Sequence, residues 1–448
     1  MKNNPVLAST LISGGTSILK NKIKYVRSSL TNNRQTIRSI MAVLSSNITA
    51  TVLTAVSGLL VARFLWPGEV GAFRAFTIPL TYLMFLNLGT NDGLWRQIPY
   101  YVGKEMPERV DALASSAGAF NLLMSAAVSF GFICCATYSL VRHDLYGVFG
   151  WLSQALCCWG VFYGSYLTAT YRTLHHFVLL SRFQIIQTIL NFVMVFLLPF
   201  LRFYGLCARM AVPAVLGLWL FHRERPLRVK YRLDIKAFKE VIKIGLPFGI
   251  WGALYSTAWV ATESALILAL DGVVALGLFS VAYALRSATI ALPVAISQVL
   301  TPRLVMSFAR NGSIHNKAFA QIISVTTVIM LFMVIVAYAG SFLLDIFVPL
   351  LISKYIAGIP VMKVCLWFSV VQAAYLPINT LFAMGRPWLF GRGIIAGIII
   401  FALATYLLLP MMGGLLAVTV GSLLGRAART LAAYVDLYVL VRKEKEVL

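Results

Sequence analysis

The sequence predicts an all-α polytopic membrane protein of about twelve transmembrane helices, and three observations lead there. The 448 residues are 60% hydrophobic and only 12% charged, where a soluble domain carries about 25% charged residues. The mean hydropathy is +0.83. Nearly uncharged stretches recur along the chain, each long enough for the roughly 20 helical residues that cross a bilayer. The alternating pattern of a membrane β-barrel is absent. Finally, the formal net charge of +23 sits mostly in short loops between these stretches.

The first residues, 1–38, are polar and basic and give no clear apolar core of a cleavable signal peptide, so the first span is expected to start insertion. The spans then follow at 39–63, 73–95, 114–140, 146–169, 178–200 and 203–222. After a basic linker at 223–242 come 243–269, 273–297, 319–343, 358–384, 389–411 and 414–440, and a tail at 441–448. Several contain proline, such as Pro79, Pro213, Pro247 and Pro293, which membrane helices tolerate at bends.

Lysines and arginines divide unequally between the two sides. One side holds the N-terminal segment, Arg96, Lys104, Arg109, Arg172 and Arg182. It also holds the linker from Arg223 to Lys243, Arg303, Arg310, Lys317, Arg386, Arg392 and the tail. The other holds only Arg63, Arg74, Arg142, Arg202, Arg209 and Lys354. An asymmetry above fourfold places both termini in the cytoplasm by the positive-inside rule. The same distribution accounts for the sequence pI near 10.0, and no nucleic-acid partner is expected.

The linker divides the chain into an N-terminal half at 39–222 and a C-terminal half at 243–440, six spans each. With six spans, both halves enter from the same side, which makes them parallel repeats about an axis along the membrane normal. Gly71-Ala72-Phe73 after the first span echoes Gly277-Leu278-Phe279 after the seventh. All predicted outer loops are short.

Several chemistries are set aside. The six cysteines lie in apolar segments and read as small core residues. The five histidines lie at or near span ends without metal-ligand spacing. No phosphate-binding G-x-x-x-x-G-K-[ST] loop and no nucleophile–base arrangement stand out. Thus neither a metal, a cofactor nor an enzymatic site is expected. The Asn47-Ile48-Thr49 sequon lies within a span.

Ionisable residues inside spans cost roughly 2.5–3.5 kcal/mol on insertion scales and so face a cavity or a partner. Here they are Asp92, Glu263, Arg286, Lys363, Arg426 and Arg429. Arg286 lies nearest mid-span, either toward substrate or in an ion pair with Glu263 or Asp92. Asp92 and Arg96 are spaced to pair along one helix face. Lys363 lies near the outer end of its span, within snorkelling reach. Arg426 and Arg429 follow the close-packing pattern Gly421-x-x-x-Gly425 and read as reaching either the cytoplasmic interface or the other half.

Polar residues form stripes at helical spacing: Asn47, Thr51 and Thr54; Gln184, Gln187 and Asn191; Gln372, Tyr375 and Asn379. Each stripe alone reads as interhelical hydrogen bonding, and together they point to a hydrated central cavity. Trp251, Tyr255, Trp259 and Glu263 recur in four-residue steps, a slanted ribbon drifting about 40° per step. Aromatic rings beside a carboxylate suit a sugar, and equally suit an aromatic belt at the membrane interface.

Two stretches carry a family texture. They read Leu60-Val61-Ala62-Arg63-Phe64-Leu65-Trp66-Pro67-Gly68-Glu69-Val70-Gly71-Ala72-Phe73 and Leu88-Gly89-Thr90-Asn91-Asp92-Gly93-Leu94-Trp95-Arg96-Gln97-Ile98-Pro99-Tyr100-Tyr101. They resemble the polysaccharide-transporter branch of the multidrug/oligosaccharidyl-lipid/polysaccharide exporter (MOP) superfamily, which includes bacterial O-antigen flippases. The resemblance implies two six-helix lobes in a V around a cavity, alternating access, and a polyprenyl-pyrophosphate-linked oligosaccharide as substrate. It implies that charged residues of spans one, two, seven and eight face the cavity: Asp92, Glu263 and Arg286, with Arg74 and Arg96 at span ends. Span one has no charge deep within it, only Asn47 and threonines, unlike the lipid II flippases of the superfamily, which carry cationic residues there.

The leading expectation is therefore a flippase of the bacterial inner membrane, serving O-antigen, capsule or exopolysaccharide assembly. Its substrate-binding residues would be Arg286, Asp92, Glu263, Arg96, Arg74, Lys363, Trp259, Tyr255 and Asn47. Its partners would be the lipid-linked oligosaccharide, membrane lipids, H+ or Na+ as coupling ion, and a polysaccharide polymerase. The alternatives are a cation-coupled multidrug exporter, which would favour an acidic cavity, and a membrane glycosyl-polymerase or ligase, which usually carries a long outer loop.

Overall fold

A computed structural model describes residues 33–311, 316–375 and 387–447. Among these residues every regular element is helical, with no strand. In hydrocarbon this is expected, because a helix satisfies its own backbone groups. Among the described residues eight stretches are long and apolar enough to cross a membrane, and Thr49–Phe64 adds a shorter apolar helix. The fold class is the expected one, an all-α polytopic membrane protein.

The first helix, α1, runs Asn33–Phe64, and α2 runs Pro67–Leu83. A 3₁₀ turn at Met84–Asn87 comes next, then Leu88 and Gly89 with φ of 51° and 71°, then α3 at Thr90–Gly103. The second span, expected unbroken over 73–95, thus begins earlier and is interrupted. Asn87, Thr90 and Asn121 explain how the break is tolerated. Thr90 Oγ1 donates to Asn87 Oδ1 at 2.9 Å, and Asn121 Nδ2 donates to Thr90 Oγ1 at 3.2 Å.

Then come α4 at Pro107–Val141, α5 at Leu145–Trp159, a π turn at Gly160–Gly164, α6 at Ser165–Thr173 and α7 at Phe177–Val193. Helix α8, Leu198–Arg223, contains a non-helical Arg202 (φ 45°, ψ −122°). The chain turns back there. Asn191 Nδ2 donates to the Arg209 carbonyl at 3.1 Å, and Gln187 Nε2 to the Pro213 carbonyl at 3.1 Å. Two members of the Gln184–Gln187–Asn191 stripe are therefore spent on hairpin packing.

Helix α9, Ile235–Ser256, starts inside the segment read as the linker. The extended stretch before it is pinned to α4. The Arg232 and Asp234 amides donate to Ser115 Oγ and Ser116 Oγ at 2.9 and 3.1 Å. After a π turn at Thr257–Ala261 comes α10, Thr262–Asn311, folded back at Gly272. That glycine has φ 78° and ψ −169°, a region essentially closed to residues with a Cβ. Helix α11 is Asn316–Leu351, a 3₁₀ turn spans Ser353–Gly358, and α12 is Ile359–Ala374. Pro387–Met412 forms α13 and Gly414–Val447 forms α14.

The residues group into two compact units. One comprises the described part of Met1–Ala50, with Leu83–Val193 and Ala208–Ile250. Its core includes Leu94, Ile98, Leu113, Tyr166, Tyr171 and Val241. The other comprises Thr51–Tyr82, Met194–Cys207 and the described part of Trp251–Leu448. Its core is built on Trp259, Ile267, Phe279, Tyr355, Cys365 and Phe401.

Candidate functional site: a buried arginine cluster

The site lies in the second unit and starts from the hairpin at Gly272. Folding α10 back at that glycine brings Glu263, in its first turn, against Arg286 on the return arm. The guanidinium grips the carboxylate at both oxygens, Nη2 to Oε2 at 2.9 Å and Nη1 to Oε1 at 3.3 Å. The Arg286 and Glu263 side chains are 3% and 0% exposed. Ser422 Oγ on α14 also donates to Glu263 Oε1. One turn on, Arg426 Nη2 stands 3.7 Å from the same oxygen.

Aromatic rings hold the cations. Arg286 lies over Tyr283 and Phe368, each 4.5 Å from the ring centre. Arg426 Nη1 donates to Tyr255 Oη at 2.8 Å and packs over the Trp259 ring at 5.1 Å. Arg429 contacts the Tyr375 ring at 3.9 Å and the Tyr255 ring at 4.6 Å. Arg74 reaches the Tyr283 ring at 5.0 Å. Ring faces attract cations, by up to about 2 kcal/mol when desolvated, but they carry no charge. Four arginines thus share the cluster with one carboxylate.

The cluster also has unused hydrogen-bonding capacity. The Nε atoms of Arg74, Arg426 and Arg429, Tyr375 Oη, Trp259 Nε1 and Thr257 Oγ1 are buried without a partner. Buried polar groups are normally paired, and most of these are N–H donors. Donors in excess, on cations in excess, fit an anionic ligand with several oxygens.

Five of the residues expected from the sequence come together here: Arg286, Glu263, Tyr255, Trp259 and Arg74. Arg74, expected at a span end, lies well within α2, because that helix begins at Pro67. Trp259 is fully buried against the Phe401 ring at 5.6 Å and packs on Tyr255 at 6.3 Å. The π turn at Thr257–Ala261 winds more widely than an α-turn. It takes up the drift of the aromatic ribbon and brings Tyr255, Trp259 and Glu263 to one side. Lys363 is instead paired with Asp345 at 2.7 Å, both substantially exposed. Asp92 and Arg96 lie on α3 in the first unit, where Arg96 packs on the Phe248 ring at 3.0 Å. Asn47 belongs to α1, and its side chain lies outside the described residues, as does the whole of Asn379.

Arg426 and Arg429 are central here, although they were expected at an interface or against the other half. The signal for them was the preceding Gly421-x-x-x-Gly425. Gly425 and Gly397 pack so closely that a Cβ on either would lie 2.6 or 2.8 Å from the other's carbonyl oxygen. Helix α14 therefore lies tight on α13, and the arginines beyond the motif are buried.

No protein-family model matches this sequence, and no curated protein sequence matches it. Solved structures do match. An inward-facing multidrug resistance MATE family transporter of the MOP superfamily superposes with a TM-score of 0.68 at 14% identity, covering 91% of this chain and 99% of that one. The outward-facing form of such a transporter gives 0.66 at 13% identity, covering 97% and 99%. A MOP superfamily transporter from Pyrococcus furiosus gives 0.56 at 13% identity, covering 96% and 98%. It is described as having a binding pocket of reverse polarity that suggests a different function. At these identities the likeness shows the fold, which is that of MATE transporters of the MOP superfamily.

Proposed function

We propose that the protein is an alternating-access transporter that flips an anionic lipid-linked oligosaccharide, borne on polyprenyl pyrophosphate, across the bacterial inner membrane. The observation that carries this reading is the imbalance in the buried cluster. Arg74, Arg286, Arg426 and Arg429 surround one carboxylate, and three of their Nε atoms have no partner. A buried cation without a counter-charge is costly, and a pyrophosphate supplies charge and acceptor oxygens together. The neighbours' inward- and outward-facing forms support alternating access. The positive-inside pattern supports cytoplasmic termini. On this reading the two halves, 39–222 and 243–440, are the moving lobes, and a polysaccharide polymerase consumes the flipped repeat unit.

A second reading, cation-coupled multidrug export, is favoured by the descriptions of the two MATE family neighbours. A cationic drug would meet four arginines in this cluster, which disfavours it.

Reconstitution in liposomes tests the choice. A fluorescent polyprenyl-pyrophosphate oligosaccharide in the inner leaflet should become accessible outside in a protein-dependent manner. Export of ethidium with no movement of the lipid would reverse the assignment.

A further inference from the structure

Glu263 accepts two parallel N–H bonds from Arg286, the geometry in which a guanidinium also binds phosphate oxygens. It is the carboxylate of a cluster otherwise made of arginines, tyrosines and apolar rings. We infer that Glu263 is a resident counter-anion: it occupies guanidinium edges in the empty site and gives them up when the substrate's anionic group binds. The inference rests on the anion-transport reading.

Three features support exchange over a permanent structural pair. The grip is uneven. Arg286 is locked, but Arg426 stays 3.7 Å from Glu263 and bonds Tyr255 instead. The charges are uneven too, since one carboxylate cannot neutralise four guanidiniums, and Arg426 and Arg429 keep unpartnered Nε atoms. Finally, Glu263 sits two residues after the π turn at Thr257–Ala261. A π turn holds one residue more than an α-turn, so passing the extra residue along the helix would rotate Glu263 by about 100°. That offers a way out for the carboxylate without unfolding α10.

Calorimetric titration of the purified full chain with inorganic sulfate tests the counter-anion, because sulfate stays a dianion over the working pH range. Wild type should bind sulfate, and Glu263→Gln should bind it roughly tenfold more tightly, since no competitor holds the arginines. Arg429→Met should lose binding. Equal or weaker binding by Glu263→Gln would overturn the counter-anion while leaving the anion site standing. If that variant does not survive purification, Ser422→Ala, which removes a hydroxyl that holds Glu263 in place, should also bind sulfate more tightly than wild type, and equal or weaker binding by it overturns the counter-anion equally. No saturable binding by wild type or Glu263→Gln overturns both the counter-anion and the anion site.

Discussion

Gly71 and Gly277 face each other across α2 and the return arm of α10, with no room for a side chain on either. A Cβ on Gly71 would fall against the Val273 carbonyl oxygen and 2.8 Å from the Gly277 nitrogen; one on Gly277 would fall against the Pro67 carbonyl oxygen. Each glycine meets the carbonyl four residues before the other. The two contacts are thus reciprocal.

Gly71→Val or Gly277→Val should therefore lower thermal stability in detergent by the ~1–3 kcal/mol typical of overpacking, or more. Gly131→Ala and Gly252→Ala, where nothing lies within 4 Å of the new Cβ, should melt with wild type. The four melting temperatures check this. Gly71→Val melting like the controls would mean that the two helices do not meet there.

The Glu263–Arg286 pair should show the asymmetry of buried ion pairs. Arg286→Met or Glu263→Met alone should destabilise by about 3–5 kcal/mol, because each leaves the other charge with a lost partner. The loss should be the smaller for Arg286→Met, which leaves Glu263 beside Arg426, whereas Glu263→Met leaves four arginines without their carboxylate. The double variant should recover most of the stability and none of the lipid flipping. Denaturant titration together with the liposome assay separates the two readouts. Additive single losses in the double variant would show that the pair is not coupled.

Much of this was legible in the sequence, and the reasons are physical. Apolar runs separated by basic loops fix where the chain crosses a membrane. The gap between the apolar runs 243–269 and 273–297 was enough to anticipate a turn between spans seven and eight, though not that Gly272 makes it. The break in span two was not, because Leu88 gives no sign of a left-handed backbone and the polar support comes from Asn121, on another helix. The site was legible in part. Glu263 and Arg286 stood out as charges inside spans. Arg426 and Arg429 could be placed only once the packing of Gly425 on Gly397 showed that their helix turns inward. Lys363 looked like a site residue until Asp345, beyond the turn at Ser353–Gly358, was seen to pair with it.

Orientation is checked by thiol accessibility. In a variant with the six native cysteines replaced, Arg142→Cys should react with a membrane-impermeant maleimide on intact cells, and Arg228→Cys should react only after permeabilisation. The reverse pattern would invert the topology derived from the positive-inside rule.

Whether the arginine cluster carries an anionic lipid-linked oligosaccharide is decided by flipping in wild type and Arg429→Met in the same liposomes. Arg429 stacks on Tyr255 and Tyr375 with its Nε unpartnered, so its loss removes a ligand contact without stranding Glu263. Wild type should flip the pyrophosphate-linked oligosaccharide in a protein-dependent manner, and a folded Arg429→Met should do so at least tenfold more slowly, about 1.4 kcal/mol. Equal rates from the two proteins, or no flipping by wild type, would contradict it.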